Sequence, residues 1–114
     1  MTQIAIVVHS RSRPNELKRM INNAVDNSYN PAALQFFIQL DSDDPNLLEY
    51  SQLDYETSAY REYFLSAPTS VPEVHEKLHA KAIKDPAVVA VILSYDYDVF
   101  DKDWDKQLHE IRRM

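Results

Sequence analysis

The apolar run Ala87-Val-Val-Ala-Val-Ile-Leu93 constrains this chain more than any other feature. It is uninterrupted, rich in β-branched residues and bounded by Pro86. Such a run is the signature of a strand with both faces covered, which predicts a central strand of a parallel sheet. The rest of the sequence fits that frame. Residues 3–8 (Gln-Ile-Ala-Ile-Val-Val) make a first strand, and Pro14 suits the first turn of a helix. Leu17, Met20, Ile21, Ala24 and Val25 then repeat with helical spacing on one face.

Leu34-Gln-Phe-Phe-Ile-Gln-Leu40 makes a second strand, closed by Asp41-Ser-Asp-Asp-Pro45. Asp44 is expected to cap a short helix that begins at Pro45 and reaches about Leu53. A third strand is expected around residues 61–65. Ser70-Val-Pro-Glu73 has the spacing of a capping box, and Val71, Val74, Leu78 and Ala82 line one face of the helix it opens. Residues 101–113 are expected to be helical, with Trp104, Leu108 and Ile111 inward. The order β-α-β-α-β-α-β-α predicts a three-layer α/β fold: a mostly parallel sheet of about four strands with helices on both faces.

A chain of 114 residues has room for one domain, residues 1–114. Apolar residues make up 45% and charged residues 26%, the balance of an ordinary globular domain. No apolar run reaches the roughly 20 residues needed to span a bilayer. With no cysteine, disulfides and thiolate metal sites are excluded, and a reducing, cytoplasmic setting is expected. A net charge of −6 argues against a nucleic-acid partner held by phosphate neutralisation. Glycine is absent altogether, which removes the P-loop and the G-x-G-x-x-G fingerprint, since both need close backbone approach. Any phosphate must therefore be held by side chains, a helix N-terminus or a metal.

Ligands of open α/β sheets gather at the carboxyl ends of the strands. There the apolar run gives way to Ser94-Tyr95-Asp96-Tyr97-Asp98. Asp96 and Asp98 face the same way if the strand continues, and two such carboxylates can grip a hard divalent cation that in turn holds a diphosphate. Asp41, just past the second strand, is placed to accept hydrogen bonds from a ribose or base. Arg11 and Arg13 lie between the first strand and first helix, where guanidinium groups and a helix N-terminus can meet phosphate. Each of these residues has an ordinary alternative as solvated loop charge.

Two further patterns compete. His75-Glu-Lys-Leu-His79 matches H-E-x-x-H on a helix, the arrangement of a zinc peptidase, but Lys77 sits beside the intended metal and no third ligand follows at a familiar spacing. Tyr50, Tyr55, Tyr60 and Tyr63 crowd mid-chain, where they either stack on a base or sugar or fill a small core.

In order and spacing the chain resembles a family 2-type glycosyltransferase of the GT-A fold. The resemblance rests on Ser10-Arg-Ser-Arg-Pro14, Leu40-Asp-Ser-Asp-Asp-Pro45, the helix before the apolar strand, Ser94-Tyr-Asp-Tyr-Asp98, and Trp104-Asp105. It implies a nucleotide-diphospho-sugar donor, with Ser10, Arg11, Arg13 and Asp41 at the nucleotide, and Asp96 and Asp98 on Mn²⁺ or Mg²⁺ at the diphosphate. Two departures stand out: Tyr97 separates acids that are adjacent in the family, and the glycines usual near its strand ends are missing. The family's acceptor pocket and catalytic base come from a further region, so the acceptor is unknown and no residue here is named as the base. The alternative is a non-catalytic interaction module that keeps the fold.

Overall fold

The computed structural model describes residues 2–55 and 57–110. Four strands, β1 (Gln3–Ser10), β2 (Leu34–Asp41), β3 (Tyr60–Ser66) and β4 (Val88–Tyr95), form one sheet in the order β3-β2-β1-β4, and every pairing is parallel. Helices α1 (Pro14–Asp26), α2 (Leu47–Ser51) and α3 (Val71–Ala82) connect them. The predicted α/β class and the three-layer arrangement are both present.

Alternation along the strands sorts the core into two halves. Ile4, Ile6 and Val8 of β1 and Leu34, Phe36, Ile38 and Leu40 of β2 meet Leu17, Met20, Ile21 and Ala24 of α1, together with Tyr50 of α2. The intervening residues Ala5, Val7 and Phe37 meet Val74, Leu78 and Ala82 of α3 on the opposite face, with Val88. Pro14 opens α1 as expected. At α3 the Ser70 hydroxyl accepts the Glu73 N–H, the first half of a capping box; the Glu73 carboxylate instead accepts from Thr69.

Several expectations are corrected. The apolar run forms β4 at the edge of the sheet, not its centre, and Leu93 is exposed. The central positions belong to β1 and β2, whose residues are almost all buried. Apolar continuity reports cover on two faces and carries no information about the lateral neighbour. Of the helix expected over residues 101–113, the described part, 101–110, forms no α-helix and holds only the 3₁₀ turn Leu108–Glu110; residues 111–113 lie outside the described residues. The segment instead packs beside α1: Phe100 N–H donates to Asn23 Oδ1 (2.6 Å), Trp104 Nε1 to the Ala24 carbonyl (2.9 Å) and Asp103 N–H to the Asn27 carbonyl (2.6 Å). Phe100, Trp104 and Leu108, like Ala90 and Ile92 of β4, thereby pack against the core on the α1 side of the sheet.

Without glycine, tight backbone bends fall on other residues. Ser12 (φ 53°) and Asp103 (φ 57°) occupy the left-handed region. Ser12 is held there by Asp44, which accepts from its N–H (2.7 Å) and its hydroxyl (3.1 Å). A β-branched residue suffers most in this conformation. Ser12→Val is expected to lower unfolding free energy by about 1–3 kcal/mol, combining the left-handed penalty with the lost hydroxyl bond. Urea denaturation checks this, and an unchanged midpoint would contradict it.

Candidate functional site

In sheet order the chain runs outward from β1 through β2 to β3, then returns across them to place β4 on the far side of β1. The direction of winding therefore reverses between β1 and β4, and the carboxyl ends flanking such a reversal form the crevice of open α/β folds. Ser10 ends β1, and Asp96 follows β4 directly. They meet there: the Ser10 hydroxyl donates to Asp96 Oδ2 at 3.0 Å.

Ser10 belongs to a longer chain of hydrogen bonds. Its Oγ lies 2.7 Å from the Tyr50 hydroxyl, which accepts the Arg13 N–H at 3.0 Å. Because the Ser10 proton goes to Asp96, the Tyr50 hydroxyl must donate to Ser10. The direction is thus Arg13 N–H to Tyr50 to Ser10 to Asp96. It ties α2, the β1–α1 loop and the end of β4 together, and burial raises the Tyr50 pKa, keeping the donor protonated. Tyr50 had no specific role in the sequence; only its place in a tyrosine cluster marked it.

Asp96 is buried, at 6% exposure, and burial raises its pKa, against the Ser10 bond and the Arg13 charge. The Arg13 bridge is long, 3.4 Å from Nε to Oδ1, and Arg13 is half exposed. This carboxylate is short of positive charge.

Asp98 behaves differently. Strand β4 ends at Tyr95 and residues 96 and 97 turn, so the alternation that would aim Asp96 and Asp98 together does not operate. Asp98 Oδ2 folds back to accept the Ser94 hydroxyl (2.8 Å) and the Tyr95 N–H (2.9 Å), fixing the turn. Asp96 and Asp98 nevertheless line one cavity of about 350 Å³ between α1 and this turn. Among the described residues, no three His, Asp or Glu side chains cluster closely enough to hold a metal alone. The oxygen donors suit Mg²⁺ or Mn²⁺ in the mode where one or two carboxylates hold the ion and substrate phosphates and water complete it.

On the other side of β1 lies a second group. Asp41, buried at the end of β2, accepts from His9 Nε2 (2.9 Å) and Arg11 Nη1 (2.9 Å). Arg11 also pairs with Asp43, and these carboxylates raise its pKa further. His9 alternates with Val7 and Ala5 toward the α3 face, whereas Ser10 faces α1. Asp41 and Asp96 therefore flank β1 on opposite sides. Residues 41, 96 and 98 share the carboxyl edge without converging on one ion. The first strand, expected over residues 3–8, runs on to Ser10, so His9 is its penultimate residue and the partner that orients Asp41.

Asp44 does not cap α2, which starts at Leu47 behind Asn46. Its Oδ1 accepts the Asn46 N–H (2.8 Å) in a local turn, and both carboxylate oxygens brace Ser12. Burial raises its pKa, but these bonds and the nearby Arg11 outweigh burial and hold it below the usual carboxylate range. The loop carrying Arg11 and Arg13 is thus set by Asp44 and Tyr50, two long-range contacts with no signature in local sequence.

The other motifs make structural contacts of their own. His75 is buried on α3 with Nε2 at 3.1 Å from the Ser94 carbonyl, while His79 is exposed. Asp105 of Trp104-Asp105 is fully buried and accepts from Ser28 Oγ (2.6 Å), His109 Nε2 (2.8 Å), and the N–H groups of Tyr29 and Asn30. It fastens the segment after β4 to the loop after α1.

The chain matches no family profile, no curated protein and no solved structure. Among the described residues, no helix is long and apolar enough to cross a membrane.

Proposed function

We propose that the chain is a glycosyltransferase-like domain that binds a nucleotide-diphospho-sugar through Mn²⁺ or Mg²⁺, transferring the glycosyl group where an acceptor region completes it. One observation carries this reading: a buried, charge-deficient carboxylate, Asp96, meets Ser10 at the point where an all-parallel sheet reverses its winding. Asp41, oriented by His9 and Arg11, receives the nucleoside on one side of β1. On the other side, Asp96 with Asp98 faces the diphosphate, and the loosely bridged Arg13 is available to turn from Asp96 onto phosphate oxygens. A bound divalent cation supplies neutralisation of the charge that builds on the departing diphosphate. The protein's part is to hold the carboxylates in place beforehand, through the Tyr50–Ser10 chain and the Asp98 turn. The cysteine-free composition fits a cytoplasmic setting.

A second reading has its own observation. Leu93, Tyr95, Tyr97 and Val99 are all exposed within a short stretch, which favours an interaction module that keeps the fold without catalysis.

Calorimetric titration with UDP and GDP, with and without Mn²⁺, separates the two. Metal-dependent binding with a dissociation constant below about 1 mM is expected. No binding of either nucleotide at millimolar concentration with the metal present would overturn the donor reading and leave the interaction module.

A further inference from the structure

The two edges of the sheet are built differently. At one edge, β3 carries Arg61 and Glu62, and charges on an edge strand discourage further pairing. At the other, β4 has no charged residue and no proline from Val88 to Tyr95. Its one irregularity lies at the start, opposite Gln3 and Ile4; from Ala90 to Tyr95 it pairs with β1 in unbroken register. A regular, charge-free edge strand presents backbone N–H and C=O groups ready to extend the sheet. The α3 side of this edge is open too. Leu93 is 55% exposed and Tyr95 is also exposed. Beside Leu93 lies a mostly apolar cavity of about 420 Å³, walled by Pro72, His75, Glu76 and His79. Those four residues follow helical spacing and make one flank of α3, which the exposed Ile83 continues.

Charge selects the occupant. With a net charge of −6, two copies of this chain repel each other unless opposite charges meet where they touch. On this edge they meet if the two β4 strands run antiparallel about a two-fold axis. His75 is level with Ser94, whose carbonyl lies 3.1 Å from its Nε2. His79 is one helical turn further towards the start of β4, which places it roughly two strand residues lower, near Ile92. A two-fold axis close to Ile92 or Leu93 therefore turns Glu76 of each copy towards His79 of the other. It also brings Lys84, exposed ahead of each β4, towards the Asp98 turn of the other copy. Parallel pairing would instead set Lys84 against Lys84 and Asp98 against Asp98. Leu93 comes to lie over apolar residues of the opposite β4, and the cavity beside it is covered.

We propose that the β4 edge, with the flank of α3 beside it, is the surface on which a second copy of this chain docks. The two β4 strands pair antiparallel and join two four-stranded sheets into one. Strand pairing supplies the direction of docking, and the α3 flanks add the side-chain contact that a strand alone lacks. The inference goes beyond the nucleotide reading and does not depend on it. Ser10 and the cavity beside Asp96 lie on the α1 side of the sheet, the face opposite that flank.

Sedimentation velocity over a range from about 10 μM to about 1 mM protein reads the association, and a reversible dimer is expected within it. Leu93→Lys puts a charge on the edge and is expected to weaken the dimer more than about tenfold. Leu65→Lys, at the comparably exposed leucine of β3, is expected to leave it unchanged. Glu76→Lys should weaken the dimer, and adding His79→Glu should restore it, because the swapped charges again meet across the two-fold. Circular dichroism matching that of the unaltered chain shows that a lost dimer is not a lost fold. A chain that stays monomeric throughout overturns the proposal and leaves the edge to a partner of different sequence. A dimer that Leu93→Lys leaves intact overturns it as well, and one that the charge swap fails to restore overturns the antiparallel arrangement.

Discussion

Replacing Asp105 by alanine is expected to destabilise the fold by about 3–5 kcal/mol, the largest effect of any single polar substitution outside the crevice. The carboxylate is inaccessible to solvent and accepts from Ser28, His109 and the N–H groups of Tyr29 and Asn30. Alanine takes the acceptor from several part-buried donors at once, of which the Asn30 N–H alone keeps another in the Ser28 hydroxyl, so the loss is that of a network rather than of one bond. Burial raises the Asp105 pKa, but the bonds from Ser28, Tyr29, His109 and Asn30 outweigh burial and bring it below its ordinary value. The sign follows from linkage. A carboxyl depressed in the folded state contributes stability fully present above its unfolded pKa, and that contribution disappears as pH falls through the folded pKa. Urea melts of wild type and Asp105→Ala should therefore differ widely at pH 7 and converge as the solution becomes strongly acidic. A constant difference across that range would show that the carboxylate's charge is not what holds the segment.

Asp96→Asn is expected to do the opposite to stability and far more to binding. Burial raises the Asp96 pKa, so its ionised form is disfavoured in the free protein. A carboxyl raised in the folded state lowers stability as pH climbs through the window between its unfolded and folded pKa values. The amide keeps an acceptor for Ser10 and removes the buried charge; it forfeits only a long bridge to the half-exposed Arg13. Asp96→Asn should thus melt at or above the wild-type temperature at pH 7. Metal-dependent nucleotide binding should nonetheless weaken about 100-fold, since the carboxylate is the buried half of the cation's anchor. A variant that binds as well as wild type would remove Asp96 from the site. One that binds poorly because it has unfolded would contradict the charge-deficiency argument.

The three-layer fold was legible because each signal is local. Apolar runs gave the strands, the spacing from Leu17 to Ala24 gave α1, and Ser70 with Glu73 gave the start of α3. The edge position of β4 was not legible, because an apolar strand reads alike beside one neighbour or two. Trp104 and Leu108 have helical spacing, but their positions are set by Asp103 in the left-handed region and by the buried Asp105. Local periodicity cannot foresee either constraint.

The position of the candidate residues was half legible. Strand-end logic put Ser10, Arg11, Asp41 and Asp96 at the carboxyl edge of the sheet, where they lie. It did not foresee that an Asp98 oxygen closes its own turn, and it misjudged Asp44, which braces Ser12 across the β1–α1 loop. It gave no specific part to Tyr50 or His9, which act through partners 40 and 32 residues away. Short polar side chains at strand ends have several possible partners, and only the assembled sheet decides among them.

The central claim is that a cation-held diphosphate sits at the reversal between β1 and β4. Paramagnetic broadening of backbone amide resonances by Mn²⁺, recorded with saturating UDP or GDP, tests it directly. The account predicts the strongest broadening at residues 10–13 and 95–98, falling with distance toward the opposite ends of the strands at Gln3, Leu34 and Val88. Broadening centred on α3, or spread evenly over the acidic surface, would contradict it.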